Sequence, residues 1–128
     1  NDTHGHPAGD TVLRYVAGCA QEHIRTSDTF GRLGGEEFAL LMPETCSDAA
    51  FACVERLRRA IADTMVPSDG GCLTVTASFG VCALTDTHID FEGWLTEADK
   101  ALYSAKKSGR NRTILAHGSR VARHSTLA

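Results

Sequence analysis

The chain of 128 residues has no run of apolar side chains near the roughly 18 that a membrane-spanning helix requires, and it shows no signal-peptide pattern. This segment is therefore expected neither to enter a bilayer nor to be exported by a visible signal. It lacks a basic excess: its formal charge of −3 argues against a general binder of nucleic-acid polymers. It also lacks paired-cysteine spacing. Cys19, Cys46, Cys53, Cys72 and Cys82 are odd in number and contain no CxxC, and several fall on apolar periodic positions. That pattern supports no disulfide or metal-site claim and suggests reduced thiols in a cytosolic core. There is no internal repeat and no low-complexity linker, so the length reads as one domain able to bury a sizeable core.

What is present is a regular alternation of elements. Val12, Leu13, Val16, Cys19, Ala20 and Ile24 recur at helical steps, which predicts a helix over residues 10–25 with Asp10 as its N-cap. Residues 29–33 and 36–42 predict a hairpin stopped by Pro43. A second helix opens at Ser47 or Asp48, with Val54, Leu57, Ile61 and Met65 inward, and the polar turn at 67–71 ends it. Leu73, Val75, Ala77, Phe79 and Val81 alternate as in a strand, a third helix covers about 91–108 and stops at Gly109, and residues 112–115 close as a strand. Residues 117–128 carry no period and read as a frayed tail, or as a segment docking on a partner. The order implies an α+β fold, with helices packed on an antiparallel or mixed central sheet.

Chemistry concentrates at the hairpin. Gly34-Gly35-Glu36-Glu37-Phe38 sets two glycines and two carboxylates at a tight turn, where glycine permits positive φ. Carboxylates there either keep an edge soluble or offer oxygen ligands to Mg²⁺, a hard cation usually shared with substrate phosphates. Basic side chains gather at Arg56, Arg58 and Arg59 and again at Lys106, Lys107, Arg110 and Arg112, as solvated helix faces or as phosphate contacts.

The five hairpin residues resemble the signature of the GGDEF family, the diguanylate cyclases, in its GGEEF form. The resemblance continues in order through Asn1-Asp2, Gly5-His6, Gly9-Asp10 and Arg32. It ends with Ala98-Asp99, Ala101-Leu102-Tyr103, Ala105-Lys106 and Gly109-Arg110-Asn111. It implies a palm of the nucleotidyl-cyclase, ferredoxin-like type over residues 1–116. The reaction it implies condenses two GTP into cyclic di-GMP with release of two pyrophosphates. Glu36 would be metal ligand and base-assisting group, with Glu37 a second ligand. Asn1 and Asp10 would grip guanine, His6 would lie beside the nucleotide, Lys106 and Arg110 would bind terminal phosphates, and Arg32 would be a further phosphate contact. Arg25-Thr26-Ser27-Asp28 resembles the family's RxxD inhibitory motif, with Arg56 as a third group holding cyclic di-GMP. Because one site holds one GTP, the resemblance implies a pair of such domains.

In the family, a strand bearing DxDxFK and a metal-binding aspartate lies mid-sheet and precedes the segment that begins here. Residues 1–128 alone are therefore expected to be inactive and poorly folded. The alternative function is a non-catalytic cyclic di-GMP or GTP sensor that keeps RxxD.

Overall fold

A computed structural model describes residues 5–34, 37–68, 70–83, 90–116 and 122–127, with only the backbone described for 5–8, 68 and 122–127. Helix α1 (Gly5–His23) leads into strands β1 (Thr29–Gly34) and β2 (Glu37–Leu41), then helix α2 (Ser47–Asp63). A small hairpin follows, β3 (Val66–Ser68) with β4 (Gly71–Leu73), and then β5 (Phe79–Ala83), α3 (Phe91–Lys107), β6 (Thr113–Leu115) and β7 (Ala122–Leu127). The main sheet has the order β1-β2-β7-β5-β6, parallel only between β5 and β6, and is therefore mixed as expected.

Helices cover both faces of the sheet. α1 and α2 bury Val16, Ala20, Val54, Leu57 and Ile61 with Phe38, Leu40, Phe79 and Val81 in the larger core. On the opposite face, Trp94 and Ala98 of α3 pack with Cys82 and Leu41. The alternation in β2 follows from the two-residue period of a strand: Phe38 and Leu40 face α1 and α2, while Glu37, Ala39 and Leu41 take the α3 side. β5 is buried along its whole length because both its faces are covered. α3 reaches β5 so closely that a Cβ on Gly80 would lie 2.2 Å from the Ala98 carbonyl oxygen and 2.4 Å from the Leu102 nitrogen.

Several expectations are corrected. α1 starts at Gly5, so Asp10 sits inside the helix and is no N-cap; Pro7 is tolerated in a first turn, whose N–H groups have no intrahelical partner. α2 ends at Asp63, leaving Met65 beyond it and 59% exposed instead of inward. The turn at 67–71 and the first part of the alternating run form the separate β3–β4 hairpin, and the central-sheet strand begins only at Phe79.

The largest difference concerns the chain's last residues. β7, read from sequence as part of a frayed tail, lies mid-sheet and pairs antiparallel with β2 (Phe38 with Leu127) and with β5 (Val81 with Ser125). It holds the central slot that the resemblance gave to an upstream strand. The pairing is made by backbone groups, which need no side-chain period to advertise it.

Candidate functional site

β1 runs to Gly34 and β2 starts at Glu37, so only residues 35 and 36 separate the strands. Glu36, the first choice as metal ligand and base, lies outside the described residues, as does Asn1; the side chain of His6 is likewise not described. Glu37 is exposed on the α3 side.

α3 supplies the other half of this corner. Asp90 caps its start, its side chain accepting from the Gly93 N–H at 2.9 Å. Asp99 and Lys106, seven residues apart, share one stripe of the helix. The Asp99 carboxyl is raised above its ordinary pKa, first by burial and then by the negative charge of Glu37, with Lys106 opposing. Strand parity and helix periodicity thus bring Glu37 and Lys106 within electrostatic reach of Asp99. Lys107 turns instead over the Tyr103 ring, 5.5 Å from its centroid.

Helix α3 ends at Lys107, with Ser108 as its C-cap. Gly109 has a φ of 131°, open to glycine and strained for other residues, and the Arg110 N–H bonds the Ala105 carbonyl at 2.9 Å in a Schellman-type closure. Arg110 is thereby fixed one turn beyond Lys106, with its side chain exposed.

One expected member does not share this face. Arg32 pairs with Phe38 across the hairpin and so shares its face, opposite Glu37. Asp10 is exposed on α1, and Asn1, expected to grip guanine with it, lies outside the described residues.

A second constellation forms at the other end of β1. Burial raises the Cys53 thiol, and the charges of Arg56, Asp28 and Arg25 all act on it, Asp28 raising and the two arginines lowering. The three RxxD-linked groups therefore all lie within electrostatic range of one residue of α2. Arg56 is exposed, while the Asp28 side chain is wholly covered. Both Asp28 oxygens accept from Arg25, one from its backbone N–H at 2.9 Å and one from Nη2 at 3.2 Å. The same Nη2 reaches the Pro43 carbonyl at 3.3 Å and the Thr45 hydroxyl.

Sequence reading quoted Asp99 only as part of a motif and gave it no role. It used Pro43 only as the stop of the hairpin and gave Thr45 no part, because both meet Arg25 only through the fold.

Among the described residues, no group of three or more His, Cys, Asp or Glu side chains forms a metal cluster. The carboxylates of Glu37 and Asp99 are nevertheless oxygen donors of the kind that suits a hard divalent cation. Among the described residues, no helix is long and apolar enough to cross a membrane.

A mixed sheet with helices on both faces and an acidic hairpin beside a basic helix end define a nucleotidyl-cyclase palm, the fold also of the chain's structural neighbours. Residues 1–112 match the model of the diguanylate cyclase GGDEF domain, and the chain belongs to the GGDEF family. It is 41% identical over 115 residues to diguanylate cyclase A of Treponema denticola, a match covering 90% of this chain and 31% of that protein. The chain thus spans about a third of that relative's length. The active GGEEF domain of a diguanylate cyclase from Vibrio cholerae superposes with a TM-score of 0.83 at 33% identity, over 93% of this chain and 75% of that one. The GGDEF domain of DgcB from Caulobacter crescentus, solved in complex with c-di-GMP, gives 0.85 at 31% identity, over 92% and 68%.

Proposed function

We propose that this chain is the catalytic domain of a diguanylate cyclase, joining two GTP molecules into cyclic di-GMP with loss of two pyrophosphates. The observation that carries the reading is the corner where Glu37 at the strand start and Lys106 of α3 both act on Asp99, in a chain of the GGDEF family. Each 3′-hydroxyl attacks the α-phosphorus of the other nucleotide, and the bond to the pyrophosphate oxygen breaks. Lys106 and Arg110 hold the terminal phosphates and oppose the charge that accumulates on the leaving group. Glu36 accepts the 3′-hydroxyl proton, and Asn1, His6 and Asp10 position the nucleotide. Mg²⁺, held by Glu36 and Glu37, would neutralise the triphosphate and polarise the α-phosphoryl group. Arg32, on the face opposite Glu37, is the weakest of the phosphate candidates.

Catalysis requires two such domains face to face, in the cytoplasm where GTP is available. Product inhibits by binding at Arg25 and Arg56, Asp28 holding Arg25 in place. This second site is separated from the hairpin tip by the six residues of β1, on the order of 20 Å of extended chain.

The test is GTP turnover with Mg²⁺ in the intact protein that carries this domain. Glu36→Gln should abolish cyclic di-GMP formation while the circular dichroism spectrum stays unchanged. Near-normal synthesis by that variant would remove Glu36 from the mechanism.

A further inference from the structure

Arg110 and Asn111 are consecutive non-glycine residues with left-handed backbone, at φ 62° and 46°. Asparagine tolerates that region, but arginine adopts it only where its surroundings hold it. The surroundings here are on α2. Arg58 Nη1 donates to the Asn111 side-chain oxygen at 2.9 Å and to its carbonyl at 3.3 Å. The remaining nitrogens of the same guanidinium fork onto Glu55, Nε to Oε2 at 2.8 Å and Nη2 to Oε1 at 2.9 Å. The Thr113 hydroxyl donates to Glu55 Oε2 at 2.6 Å, and the Asn111 N–H donates to Ser78 Oγ at 3.2 Å.

All three nitrogens of Arg58 are thus engaged, and the side chains of Arg58 and Glu55 are only 17% and 19% exposed, where solvent screens them weakly. The planar fork is required, because a lysine ammonium cannot reach both Glu55 oxygens and Asn111 at once. The bonds tie the turn after α3 to α2 on one side and to Ser78, just ahead of β5, on the other, while Thr113 of β6 holds the same α2 carboxylate. Among the described residues the Arg110 guanidinium makes no ion pair, so the turn is fixed while its cation stays available.

We infer that Glu55, Arg58 and Asn111 form a positioning clamp that aims Arg110 at the terminal phosphates of GTP. None of the three touches substrate. The inference rests on the assignment of Arg110 to phosphate, and its experiment separates the two.

The measurement is calorimetric affinity for a non-hydrolysable GTP analogue, with KM and kcat for GTP, in the intact protein. Asn111→Gly keeps the left-handed backbone and removes the side-chain acceptor. It should weaken analogue binding and raise KM by about tenfold, leaving kcat within about threefold. Arg58→Lys should act in the same direction. Asn111→Asp, which keeps both the backbone preference and an acceptor, should restore most of the affinity. In an Arg110→Ala background, Asn111→Gly should add nothing, because its effect passes through that guanidinium. An equal loss in both backgrounds would reduce the clamp to scaffolding and overturn the inference. If Arg110→Ala itself leaves affinity unchanged, the phosphate assignment fails and the clamp's purpose falls with it.

Discussion

Arg25 grips Asp28 twice, through its backbone N–H and through Nη2, and the carboxylate it holds is completely covered although Arg25 itself is 56% exposed. The buried acid therefore orients the arginine, and the arginine is the exposed member of the pair.

Removing either residue should reveal this division of labour. Asp28→Ala leaves the Arg25 N–H and guanidinium without their carboxylate and should cost about 2 kcal/mol in urea unfolding. Arg25→Ala strands a covered carboxylate and should destabilise comparably, while also weakening calorimetric cyclic di-GMP binding by about tenfold or more. With a GTP analogue blocking the active site, unchanged product affinity in Arg25→Ala would mean that Arg25 serves the fold alone.

Glu55 makes the domain acid-sensitive in a defined window. Its carboxyl is lowered from 4.5 to about 2, chiefly by its hydrogen bonds from Arg58, with burial opposing and Thr113 adding. A depressed acid stabilises the folded state above its unfolded pKa, and that contribution is lost as pH falls through the folded value. The stability gap between the parent and Glu55→Gln, on the order of 2 kcal/mol near pH 7 after allowance for partial exposure, should shrink between about pH 4.5 and 2. Urea midpoints measured across that range give the comparison; a gap independent of pH would contradict it.

Gly80→Ala should be among the most damaging single-methyl changes possible here. The added carbon meets backbone atoms of α3 at Ala98 and Leu102, which no rotamer change can relieve, so the helix must lift off β5. A cost of about 3 kcal/mol in chemical denaturation is expected. A loss below about 1 kcal/mol would show that α3 can shift freely.

Ser125→Pro examines the central strand. Ser125 pairs with Leu40 on one side and Val81 on the other, and proline removes a ladder donor from the middle of the sheet. The variant should lose at least about 3 kcal/mol of stability. A tail without structure would tolerate the change with no shift in the thermal midpoint.

The helices α2 and α3 were legible because their apolar positions recur with helical spacing and their ends carry Ser47 and Gly109. The hairpin was legible from its glycines. The sheet's middle was not. A continuous alternation from Leu73 to Val81 hides a break between β4 and β5, since both segments alternate for separate reasons. His124-Ser125-Thr126 carries no apolar period, yet it pairs on both sides through its backbone. At the site, motif order indicated the cations of α3 and the RxxD group. What it could not indicate was burial: nothing local to Asp28 shows that Arg25 and the segment around Thr45 will close over it.

The placement of β7 also sets a schedule for folding. Phe38 must find Leu127 across most of the chain, so the bonds that unite the β1–β2 hairpin with β5 and β6 are among the most sequence-distant in the molecule. Local helices and hairpins form in microseconds, but a strand that arrives last and lands in the centre makes closure of the largest loop the slow event. Without it, β2 and β5 would each present an open edge on which another extended segment, its own or a neighbour's, could pair.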